Sequence, residues 1–492
     1  MISRLNNKYI LNNDYRLCDD INRVLLVSSQ TADKNINLFV HPVHAVMLGV
    51  FNGESTLDEN IGLLSEIFSI SKEQILKVVL PFIENKEDLT IVYDKTTFYF
   101  PQKVLIKAKD GEIRNDISVK KYLIRPPFDF NSTRAKLPKR ILFVINLTCA
   151  TECFYCYANK NHKYIPLSTA RICDIIEEAK NIDIVSFELS GGEVLIHPDW
   201  DIILKKFMDC GFNPYISTKV PVTEDTIRKL KEIGINDIQI SIDTLDENLL
   251  IDTLNVKRTY AERIRKTITT FDEYGFQIVL KSTLTKKTCN RENVSKLLEF
   301  ASHLENIKRY TCSSVGYSHY KGLKEFKESI PTVTSVKEVE DLLQEKSGNY
   351  SFEILDDLTA PLKSSMNNYK SFKKRGFCSG NLTSMTVLPD GKVTICEELY
   401  WNENFILGDL REHSIREVWN SERAKSLYSI KQDNFPTESP CRQCKDFEKC
   451  RHERGVCWKD IIAVYGDNNW LYPDPRCPHA PKLINDVFYN SL

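Results

Sequence analysis

The chain has 492 residues, a formal net charge of −1, and 42% hydrophobic against 27% charged residues. This is ordinary globular composition, with length for roughly two to four domains. Near-neutrality makes no case for nucleic acid or an anionic membrane as partner, and no apolar run approaches the ~20 residues that span a bilayer. Met1 to Lys8 lack a hydrophobic signal core, so a cytoplasmic location is expected. Fifteen cysteines are many for that compartment, where disulfides are rare, and this favours metal or redox use.

Along residues 1–110, Leu25–Val27 and Asn37–Val40 read as short strands. A helical pattern opens at Pro42 and stops at Asn52-Gly53. A second helix lies near Leu57–Ile67, with Ile61, Leu64 and Ile67 on one face. A third begins at Ser71, with Glu73 and Gln74 placed for an N-terminal cap, and carries Ile75, Val78, Val79 and Phe82. Leu89–Tyr93 and Thr97–Phe100 form a hairpin across Asp94-Lys95. Together these make a winged helix-turn-helix pattern. Its third helix is not basic on one face, which argues against DNA. Residues 111–138, with Pro126, Pro127 and Pro138, read as a linker.

The β-branched run Ile141 to Ile145 reads as a buried strand, and it ends in a loop with Cys149, Cys153 and Cys156 spaced C-x3-C-x2-C. Three thiolates can hold three irons of a 4Fe–4S cluster and leave the fourth iron for another ligand. Zinc is the alternative, but a structural zinc site closes with four ligands. Strands and helices then alternate over 139–335, which predicts a parallel sheet. A helix covers Ser168–Lys180, and the strand Ile184–Leu189 ends in Ser190-Gly191-Gly192-Glu193. Further strands are Asn213–Thr218, Asp237–Asp243, Gln277–Thr283 (with Lys281 or Thr283 facing the site) and residues 306–315; a helix runs from Tyr260 to Tyr274. Cys173 and Cys210 read as core residues, Cys18 and Cys289 have no partner spacing, and Cys312 follows a strand.

Residues 336–375 form a helix (Val336–Glu345) and a bridge. Seven cysteines follow. Cys378 precedes two short strands joined by the turn Pro389-Asp390-Gly391, which leaves Cys396 on the second. Then come Cys441-x2-Cys444-x5-Cys450, Cys457 and Cys477. A zinc ribbon is the alternative for Cys441-x2-Cys444, weakened by the five further cysteines.

The loop Cys149–Cys156, with Tyr155 before its third cysteine, and the Gly-Gly-Glu turn about 35 residues on resemble the radical S-adenosylmethionine (SAM) family. The resemblance implies an α/β fold, a partial (β/α)6 TIM-like barrel over 139–335. It implies a SAM-binding 4Fe–4S cluster on Cys149, Cys153 and Cys156, and SAM contacts from Tyr155, Gly191, Gly192, Glu193, Ser217, Ser241 and Arg258; Arg258 could equally be a solvated helix-start residue. The glycines would let backbone approach the ligand. Residues 376–492 resemble the cysteine-rich SPASM extension, which implies two auxiliary 4Fe–4S clusters. Cys441, Cys444, Cys450 and Cys477 would hold one; Cys378, Cys396 and Cys457 would contribute to the other, with Ser384 where one variant has a cysteine. Residues 41–56 resemble the PqqD-like winged-helix domains that bind leader peptides. The implied activity is maturation of a ribosomally made precursor peptide through a 5′-deoxyadenosyl radical, with a thioether or carbon–carbon crosslink as product. The implied partners are that peptide and an external one-electron reductant of flavodoxin or ferredoxin type. Peptide epimerisation and Ser/Cys oxidation (formylglycine-type) share the same motifs. A non-catalytic metal-binding adaptor is the alternative from another class.

Overall fold

The structure, a computed structural model, describes the chain apart from residues 1, 29–36, 94–95, 118, 125, 131–133, 359–371, 373–374, 376–377, 454, 486 and 488–492. The turn at 94–95 and much of the bridge therefore lie outside the described residues. The chain divides into Met1–Lys139 with Ile182–Ser186, and Arg140–Asn181 with Phe187–Leu492.

In the first unit, β1 (Lys8–Leu11) lies between β5 (Asn52–Thr56) and β8 (Leu105–Lys107). A second antiparallel sheet joins β2 (Tyr15–Asp19), β3 (Val24–Ser28) and β4 (Asn37–Val40). Helices α1 (Pro42–Gly49), α2 (Leu57–Phe68) and α3 (Lys72–Val79) precede the hairpin β6 (Leu89–Tyr93) and β7 (Thr96–Phe100), in the order expected. Both α2 and α3 start in reciprocal capping boxes, Thr56 with Glu59 and Ser71 with Gln74, which satisfy N–H groups that a helix start leaves open. Leu48, Leu64, Val79, Phe82 and Phe100 are fully buried in one core. The short strands β1, β5 and β8 are additions that the hydrophobic pattern does not show.

The expected linker is packed into this unit. Arg114 is buried and donates to the carbonyls of Leu11 (2.9 Å), Asn12 (3.1 Å) and Tyr15 (2.9 Å). The Tyr122 hydroxyl donates to the Leu17 carbonyl (3.2 Å). Polar composition reads as linker, yet here a guanidinium closes three backbone acceptors that burial would otherwise leave unsatisfied.

The second unit carries the barrel strands. β9 (Arg140–Val144) and β10 (Ser186–Ser190) pair in one sheet. β11 (Ser217–Thr218), β12 (Asp237–Ser241), β13 (Gln277–Leu284) and β14 (Ile307–Ser314) run parallel in another. Between β9 and β10 lies α4 (Thr169–Asn181), whose first turn is capped by Ser168 Oγ, 3.2 Å from Arg171 N. After β12 come α5 (Glu247–Leu254) and α6 (Tyr260–Glu273). The fully buried Ile264, Ile268 and Phe271 of α6 and Ile240, Ile278 and Leu280 of the strands fill the space between layers, each worth about 1.5–3 kcal/mol of burial. The six strands thus form an open, partial barrel.

Three details differ from the sequence reading. The third strand shrinks to Ser217–Thr218, since Pro214 has no N–H to give a ladder. The bridge supplies β15 (Glu353–Asp357), which extends the sheet parallel to β14. The C-terminal region joins the barrel: β16 (Ser384–Val387) pairs parallel with β9, and β17 (Lys392–Thr394) and β18 (Ile406–Asp409) continue that sheet antiparallel. Cys396 lies just beyond β17 rather than on it.

Candidate functional site

Cys149, Cys153 and Cys156 follow β9 at its carboxyl end. The Thr151 hydroxyl lies 3.3 Å from Cys149 Sγ and 3.4 Å from Cys153 Sγ. The end of α5 braces the loop from below, as the carbonyls of Leu254 and Thr253 accept from Glu152 N (2.9 Å) and Phe154 N (3.2 Å). The other brace is the glycine pair. A Cβ on Gly191, whose φ is +151°, would stand 2.6 Å from Asn146 O, and one on Gly192 would stand 2.2 Å from Thr148 O. The close approach these glycines permit here is to the backbone that leads into the cysteine loop.

Glu193 is 2% exposed and accepts from Thr218 Oγ1 (2.9 Å) and Lys219 N (3.2 Å). Burial without a counter-ion pushes its carboxyl up to about 7, although those donors oppose the rise. Ser217 and Ser241, on neighbouring strands, share one donor: Gln239 Nε2 lies 2.6 Å from Ser217 Oγ and 3.2 Å from Ser241 Oγ. Arg258 does not join this group. Its side chain is 83% exposed and lies 3.9 Å from Glu247.

Tyr155 brings in two residues that the sequence did not single out as a pair. Its hydroxyl donates to Asp243 Oδ2, while Lys219 Nζ donates to the Tyr155 oxygen (2.5 Å) and to Asp243 Oδ2 (2.8 Å). Asp243 is 1% exposed, and its other oxygen accepts from Thr283 N (2.9 Å). Burial works against the charge on Lys219, but Asp243 and the sulfurs of Cys153 and Cys149 outweigh it, so its pKa lies above the ordinary value. Burial pushes the Cys153 thiol up, and Lys219 partly offsets this. A cation beside the loop favours the thiolates that iron requires. Lys281 is exposed, and Cys312 is buried in the core with its thiol raised.

The C-terminal cysteines fall into two neighbourhoods. The Cys396 thiol is pushed up to about 12 by burial, with Glu398 and Cys378 adding to the rise. Cys457 is raised by burial and then by Asp460, with Cys378 again nearby. The Cys477 thiol is pushed up to about 11 by burial, with Cys450, Cys441 and Cys444 around it. Ser384 Oγ is spent on Ser379 Oγ (2.9 Å). Arg451 Nη2 donates to Cys441 Sγ (3.2 Å), while its Nε and Nη1 are buried without a partner among the described residues.

Among the described residues, no three Cys, His, Asp or Glu side chains converge on a single metal ion. A zinc ribbon needs that convergence. A 4Fe–4S cube does not, because each thiolate takes its own iron. Sulfur donors in threes and fours, with unpartnered N–H groups beside one set, fit iron–sulfur clusters.

The two regions meet at Glu397, directly after Cys396. Its Oε2 accepts from the Tyr157 hydroxyl (3.2 Å), one residue past Cys156, and from Ser190 Oγ (3.3 Å), one residue before Gly191. Burial raises this carboxyl too. Next to it, Tyr400 is buried and holds φ +36°, a costly conformation for a tyrosine. No motif marks Glu397; the only sequence signal is a carboxylate adjoining a cysteine.

Residues 143–301 match the radical SAM superfamily, and residues 378–445 match SPASM, an iron–sulfur cluster-binding domain. The chain thus carries a radical SAM domain followed by a SPASM domain. Its cofactors are SAM with a 4Fe–4S cluster in the first domain and auxiliary iron–sulfur clusters in the second. Among solved structures it is similar to Streptococcus suis SuiB bound to S-adenosylmethionine (15% identity, TM-score 0.62). It is also similar to SuiB bound to the precursor peptide SuiA (16% identity, TM-score 0.61). Each match covers 95% of this chain and 99% of the other, and at such identity it shows a shared fold. No helix among the described residues is long and apolar enough to cross a membrane.

Proposed function

We propose that the enzyme matures a ribosomally made precursor peptide and installs a thioether or carbon–carbon crosslink. The observation that carries this reading is Glu397, which ties the neighbourhood of Cys396 to both Tyr157 and Ser190. Joining X–H and Y–H into X–Y removes a hydrogen atom, a proton and an electron. SAM, held at a cluster on Cys149, Cys153 and Cys156, would supply the radical chemistry that takes the hydrogen atom. Glu397 is poised to receive the proton, its raised pKa bringing it nearer neutral pH. Cys378, Cys396 and Cys457 would hold an auxiliary cluster beside it, and Cys441, Cys444, Cys450 and Cys477 a second, able to take the electron. With three cysteines, the first leaves an iron open to a substrate thiolate, and spectra of that cluster should change when a cysteine-containing peptide is added.

Cys149, Cys153 and Cys156 would hold the SAM cluster. Tyr155, Gly191, Gly192, Glu193, Ser217 and Ser241 are the proposed cofactor contacts, and the two glycines also let the turn approach the loop backbone. In the first unit, the leader peptide would add a strand to a sheet edge and pack on a helix. SuiB bound to a precursor peptide supports a peptide partner. A flavodoxin- or ferredoxin-type protein would deliver the electron that starts each turnover, in the cytoplasm.

The test is mass spectrometry of the precursor peptide after turnover. A product lighter by two hydrogens per bond, with fragmentation interrupted between two residues, is expected. The same loss without interruption would mean oxidation, and unchanged mass with an inverted stereocentre would mean epimerisation. A colourless anaerobic preparation containing zinc would mean the non-catalytic adaptor instead.

A further inference from the structure

The two auxiliary neighbourhoods differ in how cations meet the cysteine sulfurs. Around Cys378, Cys396 and Cys457 stand Asp460, Glu397 and Glu398; the nearby cations are Lys459, engaged by Glu398 at 2.9 Å, and Arg476, which lies 3.5 Å from Asp460. Around Cys441, Cys444, Cys450 and Cys477 stand two guanidiniums. Arg451 Nη2 donates to Cys441 Sγ (3.2 Å) and to Tyr472 O (2.6 Å). Arg375 Nη2 donates to Cys450 Sγ (3.2 Å) and Cys450 O (3.1 Å), and Arg375 is anchored on the carbonyls of Phe372 and Gly455. The nearby carboxylate, Asp474, is taken by Arg476 at 2.8 Å.

Arg451 is held for this position. Its guanidinium carbon lies 4.9 Å from the ring centre of Phe435 and 5.1 Å from that of Trp458. Such stacking fixes a guanidinium without using its N–H groups. Nε and Nη1 are buried and have no partner among the described residues, which is costly unless something accepts them. Sulfides of a cluster on the adjacent cysteines are suitable acceptors. Arg451 and Trp458 also line, with Cys378 and Gly380, a cavity of about 50 Å³, so the same side chains border the other cysteine set.

We propose that Arg451, seconded by Arg375, is a positioning residue for the auxiliary cluster on Cys441, Cys444, Cys450 and Cys477. It hydrogen-bonds that cluster's sulfur and raises its reduction potential above that of the cluster on Cys378, Cys396 and Cys457. The electron released when the substrate bond forms would then come to rest at that cluster. Reduction adds one negative charge to a cube, and potentials follow net charge and hydrogen bonds to sulfur. Guanidiniums that donate to cysteine sulfur lower the cost of that charge on one side; on the other, Lys459 and Arg476 are paired with Glu398 and Asp460. The inference rests on the ligand assignment proposed above.

The experiment is an anaerobic redox titration followed by electron paramagnetic resonance. It uses the full chain with Cys149, Cys153 and Cys156 replaced by Ala, so that auxiliary clusters alone contribute. Iron is counted first: about eight per chain is expected. A parent with no such iron overturns the ligand assignment and this inference with it. The relevant signal is the one that Cys441→Ala removes. In Arg451→Gln, its reduced-to-oxidised ratio at fixed poise should fall about tenfold, which is about 59 mV for one electron, while the other signal stays in place. Arg451→Lys keeps the charge and loses the fork, so it should shift the same way by less; it decides the matter if the Gln variant sheds iron. An unmoved signal with iron retained overturns the proposal. Loss of half the iron from both variants also overturns it, since Arg451 would then be a structural prop.

Discussion

Glu193 is a carboxylate buried among hydroxyl and amide donors with no cation to pair with, and this has a definite pH consequence. Its folded value of about 7 lies above the ordinary 4.5. The protonated form is therefore the one the fold prefers. Its contribution to stability is fully present below pH ~4.5 and is lost as the pH rises through about 7, an effect of order 3 kcal/mol. Urea unfolding of the apo protein should show that loss across pH 5–7.5, and Glu193→Gln should flatten it. Lys219 poses the opposite problem. Removing its ammonium in Lys219→Met leaves Asp243, 1% exposed, as an uncompensated buried charge, and the expected cost is about 3–5 kcal/mol. Adding Asp243→Asn should recover part of it in the same unfolding assay. Of these residues, Glu193 is visible in the sequence because a turn motif carries it. Lys219 is not, because nothing in Ser217-Thr218-Lys219 shows that the next strand holds a carboxylate opposite. Arg258 is the converse: an arginine at a helix start invites a functional role, and in the fold its side chain is exposed beside Glu247.

At the scale of elements, the cysteine loop is a conformation held between the end of α5 and the Gly191-Gly192 turn. Gly192→Ala would put a methyl group 2.2 Å from Thr148 O, so the loop must shift. Iron bound by the Cys149–Cys156 site should fall severalfold while the auxiliary iron stays, measured against the wild type after the same reconstitution. The pairing of β16 with β9 has a similar meaning: the strand that leads to Cys149 shares its sheet with the hairpin that leads to Cys396. Each strand was legible as an apolar run, and so was the turn at Pro389-Asp390-Gly391. Their adjacency was not, because pairing between residues some 240 positions apart leaves no local periodicity.

For the molecule as a whole, the iron inventory follows from counting sulfur donors. Anaerobic protein should hold about twelve irons, falling to about eight when Cys149, Cys153 and Cys156 are replaced by Ala. About four, falling to none, would mean that the C-terminal cysteines hold something else. The sequence by itself determined the cofactor class, because ligand type and spacing within a loop are local properties that soft-metal chemistry reads directly. It also determined most strands and helices of both units, because burial imposes its period on neighbouring residues. The tertiary structure alone decided how charge is distributed around the cysteines: the Lys219–Asp243–Tyr155 cluster, Glu397 joining two cysteine regions, and guanidiniums that donate to the sulfurs of Cys441 and Cys450. Electrostatic energy depends on distance through the folded interior rather than along the chain, so these arrangements exist once the strands have brought remote residues together.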